Sequence, residues 1–542
     1  MNFDVLIKNG KIIDGSGNPG FKGDIGIANG KIVKIGLIEQ SDETSAAKVI
    51  DANGLIVCPG FIDIHSHADY TIPLDPTTVS TIHQGVTTLV VGMCGGSLAP
   101  VNPEKKELFD KEFSMGAPPG LAYNVTWTSF SEYLDEMEKI GCSTNVAHFI
   151  GFGMVRLAAM GYENRKPTKD ELQQMKEYIR DAMEAGAFGI STGLIYPPQV
   201  YAETEEVLEL AKEVAKYNGL YFSHIRNEGE FVIEAMQEVI DIVEKSGCKG
   251  GQIAHHKISG KNFWGLSKAT LQLLEEANGR GISITCDQYP YNRGATSLIT
   301  LLPPWTHEGG LEKLLERLKD SEAKERIKND LYEGSSYESF IKNNGWECIY
   351  ISSLETEKWA KFIGKSLAEI TRDLGKDDEF EVLCEILIDE EAKGGMTIES
   401  MGEEDIQRIM KGRYTMIGSD GTSIPLTGPL SYGKPHPRFF GTFPRILGHF
   451  VREKKLMLLE TAIRKMTSFP AQRLGLTDRG ILKENMWADI VVFNQKSVID
   501  KATFTDPHQL PEGIEYVLVN GEIVIDKGRH QGILPGKILR SN

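Results

Sequence analysis

Hydrophobic and polar positions alternate in short β-rich runs at both ends of the chain and give way to a longer, mixed rhythm between them. VLIKNGKIID, DIGIANGKIVKIG and AAKVIDANGLIVCPG open the sequence, punctuated by NG, DG and ANG turns, and ADIVVFN and IEYVLVNGEIVID repeat that texture near the other end. Alternation broken by such dipeptides predicts strands joined by tight turns. Residues 1–60 and 477–542 are therefore expected to build one small β-sandwich domain, with the middle of the chain inserted into it.

From about Phe61 the apolar runs shorten to segments such as TTLVVG, TNVAHFIG, AFGIST, LYFSHI, GQIAHH, ISITCD and TMIGSD, which alternate with amphipathic stretches. In KDELQQMKEYIRDAMEAG the apolar residues recur at helical spacing and Gly186 closes the run, as a helix and its stop signal require. Strand followed by helix, many times over, predicts an α/β fold with a parallel sheet. A (β/α)8 TIM-like barrel over residues 61–476 is favoured because polar candidates fall at the ends of many different strands. Residues 306–411 break the rhythm with charged helices such as EKLLERLKDSEAKERIKNDL and the strand-like ECIYISSL, and they read as an insertion or lid.

Composition narrows the class. The 542 residues are 41% hydrophobic and carry a formal net charge of −17. That excess comes from Asp and Glu scattered among Lys and Arg, so it reads as a solvated surface and argues against a nucleic-acid partner, which needs clustered positive charge. No apolar run reaches the roughly 18 residues that span a bilayer, and MNFDVLIKNGKIIDG lacks the basic segment and small-residue cleavage site of a secretory signal. Seven cysteines, at 58, 94, 142, 248, 286, 348 and 384, are odd in number and widely spread. They suit a reducing compartment, and a cytoplasmic location is expected.

The sharpest chemical signal is FIDIHSHAD, where His65 and His67 stand two residues apart at the end of an apolar run. Alternation along a strand turns both imidazoles to one side, as two ligands of one metal require. Two ordinary polar residues at a strand end would read the same. Cys94 after TTLVVGM, His224 after LYFS, His255 after GQIA and Asp420 after TMIGS hold comparable positions. The C-terminal ends of barrel strands face one mouth, so residues distant in sequence can converge there. Singly, Cys94 also reads as a buried small hydrophobe, and His224 and His255 as satisfied polar residues. Together, imidazole, thiolate and carboxylate favour zinc, and a thiolate can bridge two ions. Asp420 is the candidate acid–base group, because amide hydrolysis needs a carboxylate to take a proton from water and return it to the leaving amine. SDGT around it would also suit a helix N-cap.

These residues together resemble the amidohydrolase superfamily. GMCGGS, GLIYPP at 193–198, SHIRNEG at 223–229, AHHK at 254–257, DQYPY at 287–291 and HPRFFGTFPRIL at 436–447 are similar to its N-acyl-D-amino-acid deacylase, or D-aminoacylase, branch, and the resemblance covers nearly the whole chain. It implies hydrolysis of an N-acyl-D-amino acid to a carboxylate and a free D-amino acid, with a small molecule as partner and neither nucleic acid nor membrane. It implies that Cys94, His224 and His255 hold a tight zinc, and that His65, His67, Cys94 and Asp420 form a second, weaker site. His256 is then a packing residue or one that supports the ligands from behind, and Lys257 and Tyr289 hold the substrate carboxylate.

The chain also departs from the family. Where the branch carries a Ser- and Thr-rich run after DQYPY, this sequence reads NRGATS, and Arg293 becomes the candidate cation for the carboxylate or for a polar side chain. His436, in KPHPRFFG, is a candidate for contacting substrate or ordering a lid, with a structural turn equally open. Three other functions stand beside the deacylase. A hydantoinase- or dihydropyrimidinase-like cyclic-amide hydrolase is disfavoured by a cysteine in place of a bridging lysine. A dipeptidase acting on D residues and a catalytically dead scaffold of the same fold are the others, and the scaffold has no reason to keep six ligand candidates. The oligomeric state is open, a homo-oligomer among the options.

Overall fold

In a computed structural model the chain is described over residues 2–38, 46–116, 120–333 and 337–541. Small parts of the expected terminal domain (1, 39–45 and 542) and of the expected insertion (334–336) lie outside the described residues.

The short apolar runs become parallel strands in chain order: Phe61–Asp63, Val86–Val91, Asn145–His148 continued by Ile150–Gly151, Gly189–Gly193, Leu220–His224, Gly250–Ile253, Ile284–Gln288 and Thr415–Ile417. Each pairs in parallel with the next. Ser66 and Gly421, just beyond the first and last strands, form an isolated parallel bridge. Every residue of these strands is buried, because helices cover them; a strand buried on both faces reads as a continuous apolar run. The helix Lys169–Glu184 shows how the connections are made. Thr168 caps its start in a reciprocal pairing with Glu171, and Met175, Ile179, Ala182 and Met183 are buried at helical spacing. Gly186, at φ 101°, ends it.

The two terminal segments pair with each other. Among the described residues they form one hydrogen-bonded nine-stranded sheet, in which Ile56–Pro59 lies antiparallel to Ile490–Phe493. Gly60 alone separates that sheet from the first parallel strand, and a Cβ there would meet Thr87 Oγ1 at 2.1 Å. The last strand, Ile538–Leu539, leaves the terminal sheet and pairs in parallel with Asn145–His148. No helix among the described residues is long and apolar enough to cross a membrane.

The insertion starts and stops earlier than the charge pattern suggests. Arg293–Ser297, Gly395–Glu399 and Ile349–Ser353 form a three-stranded antiparallel sheet, and an apolar cluster running from Leu298 to Ile398, with Trp359, Phe380 and Leu383 among its members, belongs to this segment alone. The helix Glu403–Lys411, expected inside the insertion, instead sends Ile406 and Met410 into the main core. The strand pairing that sets these limits spans about a hundred residues of chain, which local periodicity does not register.

His148, closing its strand, is buried with neither ring nitrogen hydrogen-bonded among the described residues, and burial pushes it down to about 3. The folded imidazole stays neutral where an unfolded one takes a proton, so its share of stability is complete above about pH 6.5 and is lost as pH falls towards the folded value. In urea unfolding, the stability of His148→Phe relative to the parent is expected to rise by up to about 1.4 kcal/mol per pH unit between pH 6.5 and 5. A difference that does not change with pH would contradict a neutral, buried His148.

Candidate metal centre

Each candidate ligand stands at or just past the C-terminal end of a parallel strand. His65 and His67 follow Phe61–Asp63, Cys94 follows Val86–Val91, His224 closes Leu220–His224, His255 follows Gly250–Ile253, and Asp420 follows Thr415–Ile417. Three of them have left-handed backbone: Cys94 at φ 52°, His255 at 34° and Asp420 at 50°. Non-glycine residues rarely adopt that region, and they persist there only where the surroundings over-determine them. Those surroundings are visible. Asp420 N donates to His65 O at 2.8 Å and His67 N to Gly421 O at 2.7 Å, which stitches the first strand end to the last. His255 N donates to Asp287 Oδ1 at 2.8 Å.

The side chains converge. Cys94 Sγ lies 3.4 Å from His65 Nε2 and 3.4 Å from His255 Nε2, while Asp420 Oδ1 is 3.1 Å from His67 Nε2 and 3.4 Å from His65 Nε2. Two groups share the thiol: His65, His67, Cys94 and Asp420, and Cys94, His224 and His255, each with its donor atoms within 4.8 Å of one another. Separations of about 3–4 Å are those kept by tetrahedral ligands of one zinc-sized ion. Neither buried ring nitrogen of His224 has a hydrogen-bond partner among the described residues. An orphaned imidazole beside a thiol and two more imidazoles is the donor chemistry of a borderline cation, and the residues fit a metal.

Carboxylates behind the imidazoles orient them. Asp287 Oδ1 is 3.2 Å from His65 Nδ1, so His65 directs Nε2 at Cys94. Glu228 Oε1 sits 3.0 Å from His255 Nδ1 and 2.6 Å from Lys257 Nζ, and does the same for His255. Glu228 is itself held from the insertion, where Glu338 Oε2 accepts its backbone N–H at 2.8 Å. On the far side, Arg438 Nη1 lies 2.9 Å from Asp420 Oδ2 and its guanidinium 4.9 Å from the Tyr289 ring centre.

Charge in this cluster is set by compensation. Burial opposes ionisation of Cys94, yet the positive charge of His65 and His255 and the closeness of the His224 and His255 imidazoles hold its thiol well below the usual range. Burial likewise opposes Asp420, and Arg438, His255 and His67 hold it well below the usual carboxylate range. Glu228 stays ionised against burial because of Lys257, His224 and His255. Burial and the neighbouring Glu228 push Glu338 up to about 8, so it is protonated at neutral pH. Burial raises the Tyr289 phenol to about 12, which leaves it a donor.

A cavity of about 550 Å³ opens over this cluster, with His67, Cys94, His224, His255, Lys257, Tyr289, Asp420 and Arg438 in its wall. The structure thus brings eight of the chemically singled-out or neighbouring side chains to one space, but two expected residues stand elsewhere. Arg293 is opposite Glu399 in the antiparallel ladder and donates to it at 2.9 Å. Its guanidinium lies 3.7 Å from the Tyr350 ring centre and 4.5 Å from that of Phe504, off the cavity wall. Cross-strand pairing occupies the cation expected to meet substrate, and Arg438 rather than Arg293 lies in the cavity wall. His436 is also off the wall: Nε2 donates to Arg293 O at 3.0 Å and Nδ1 accepts from Arg438 N at 3.0 Å. It positions Arg438 instead of facing the cavity. His256 packs inside, 2.9 Å from Thr270 Oγ1, as expected. Glu228, Asp287 and Arg438 were missed, although SHIRNEG, DQYPY and HPRFF contain them.

A thiol, four imidazoles and a carboxylate gathered at strand ends, with carboxylates orienting the imidazoles and a cation–phenol pair beside them, make the site of a hydrolytic enzyme that works with metal. Comparison with known proteins gives the lineage. The profile of the amidohydrolase family matches residues 48–258 and 373–525. The D-aminoacylase of Alcaligenes xylosoxydans xylosoxydans is 34% identical over 541 residues, 99% of this chain and 97% of the relative. A solved structure addressing the binuclear metal center of D-aminoacylase superposes with a TM-score of 0.80 at 33% identity, covering 99% of this chain and 100% of that one. The N-acyl-D-glutamate deacylase from Bordetella bronchiseptica, solved with zinc and a phosphonate mimic of the tetrahedral intermediate, superposes at 0.81 with 32% identity over 100% of both chains. The chain belongs to the amidohydrolase family.

The Cys94 turn depends on a close backbone approach. A Cβ on Gly193 would lie 2.2 Å from the Cys94 carbonyl oxygen and 2.7 Å from Tyr196 Cδ2. Gly193→Ala is expected to displace the thiol, cutting bound metal at least tenfold by elemental analysis and costing about 1–3 kcal/mol of stability, as overpacking does. Parent levels of metal in the variant would show that the approach carries no weight.

Proposed function

We propose that the protein hydrolyses the amide bond of N-acyl-D-amino acids, releasing a carboxylate and a free D-amino acid, with zinc at the Cys94 centre. The observation that carries this reading is the pairing of a Cys94-shared ligand set with a Lys257–Tyr289–Arg438 wall in one cavity, because an N-acyl amino acid offers a carbonyl for the first and a free carboxylate for the second. The relatives supply the D configuration. We read the eight parallel strands as a closed barrel, supported by the Ser66–Gly421 bridge between the first and last strand ends, and the terminal sheet as a separate small domain. Seven free cysteines support a cytoplasmic setting.

Cys94, His224 and His255 would hold the tighter ion, and His65, His67, Cys94 and Asp420 a second, weaker one. Zinc bound there supplies a Lewis acid for an acyl carbonyl and makes water more acidic. The remaining work falls to side chains. Lys257 and Arg438 meet the substrate carboxylate as charge-assisted donors, with the Tyr289 hydroxyl beside them. Asp420, kept ionised by Arg438 and the imidazoles, accepts the water proton on Oδ1, and returns it to the departing amine. Glu228 holds Lys257 and the His255 ring in position throughout.

With N-acetyl-D- and N-acetyl-L-methionine as matched substrates, amine release is expected from the D form only. Asp420→Asn should lower kcat by roughly 10²–10⁴-fold, the usual contribution of a general acid–base group, while elemental analysis still finds zinc. Equal release from the L form, or an active Asp420→Asn, contradicts the proposal.

A further inference from the structure

The cavity is much larger than the cluster at its base. At about 550 Å³ it falls within the range of sites that enclose a drug-sized molecule, whereas an acetylated small amino acid would fill only part of it. Its walls are unlike one another. Lys257 and Tyr289 follow the strands Gly250–Ile253 and Ile284–Gln288, the sixth and seventh in the parallel order. Across from them, the helix Phe152–Met160, which follows the third strand, contributes Met154 and Leu157; Leu108 joins them from the helix Lys106–Gly116, and Leu311 and Leu314 from the insertion.

The wall that carries the Cys94 thiol also includes Gly95, Gly96 and Gly153, against which Gln199 and Tyr70 pack closely. One cavity therefore holds both the ligand cluster and this arm of apolar side chains. The charged groups along the arm already have partners. The Glu112 carboxylate accepts from the Tyr162 hydroxyl, and Lys111 Nζ pairs with Glu312 Oε1 at 2.7 Å. The arm offers a ligand the apolar side chains of Leu108, Met154, Leu157, Leu311 and Leu314.

Amide geometry decides which part of a substrate reaches it. Across a trans amide the acyl chain and the amino-acid Cα lie on opposite sides of the C–N bond. With the carboxylate at Lys257, Tyr289 and Arg438 and the carbonyl at the Cys94 cluster, the acyl chain points away from that wall, towards Leu157 and Leu314. We propose that this arm is an acyl-chain site, and that the preferred substrates carry a long or bulky apolar acyl group instead of acetyl. The proposal rests on the deacylase reading above.

The test is kcat/KM along the N-acetyl, N-butanoyl, N-hexanoyl and N-octanoyl derivatives of D-alanine, beside an N-acetyl series in which the D side chain lengthens from alanine to norleucine. Burying each methylene should raise kcat/KM about fourfold until the arm is full, so hexanoyl should exceed acetyl by well over tenfold. In Leu157→Trp, and independently in Leu314→Gln, the hexanoyl-to-acetyl ratio should collapse towards one, a readout that is internal to each variant. A flat or falling acyl series with the acetyl substrate still cleaved overturns the acyl site and leaves the deacylase standing. A rise only along the side-chain series assigns the arm to the amino acid and overturns it equally. Cleavage of no substrate in either series removes the deacylase reading, and the acyl site with it.

Discussion

Ionised groups taken out of water are tolerated only where opposite charge and hydrogen bonds meet them on every side, and the cluster around Cys94, Glu228 and Asp420 is built to that rule. Three buried anions face four imidazoles, Lys257 and Arg438, and each is held ionised against burial by named neighbours. Compensation of this kind works only at fixed separations, so the backbone has to place the side chains first. Left-handed turns at Cys94, His255 and Asp420, and the hydrogen bonds that join the first strand end to the last, are the local cost of that placement. A metal entering the cluster would take over much of the compensation, since its charge meets thiolate and carboxylate at once.

The insertion contributes to this arrangement from outside the strands. Glu338 holds the Glu228 backbone, and Leu311 and Leu314 complete the apolar wall, so one segment both fixes the polar base of the cavity and shapes its apolar arm. Arg293 ties the segment down. It pairs with Glu399 across the ladder and stacks on Tyr350 of the insertion and on Phe504, which comes from the C-terminal part of the chain. A residue expected to bind substrate instead joins the insertion to the C-terminal part of the chain, and through its carbonyl it orients His436 and hence Arg438.

Much of the site was legible because strand ends leave a local trace. His65 and His67 share a face by alternation, and Cys94, His224, His255 and Asp420 each follow an apolar run. Partners that act at right angles to the chain leave none. Asp287 meets His255 from the neighbouring strand and His65 from two strands away, Glu228 meets Lys257 across a loop, and Arg438 crosses to Asp420 from the start of the helix Arg438–Arg445; nothing at those positions distinguishes them from ordinary surface charges. The same limit displaced the insertion by about a dozen residues at each end, because its strands pair across about a hundred residues.

By itself the sequence determined the alternation of strand and helix, the joining of the two ends in one sheet, and the set of six ligand candidates, since each is written in short-range periodicity and residue type. Tertiary structure alone decided that Arg438 and not Arg293 faces the cavity, that Glu228 and Asp287 orient the imidazoles, and that apolar side chains share the cavity with Lys257 and Tyr289. Those are matters of distance between different elements, and a periodic pattern carries direction along an element but not what lies across from it.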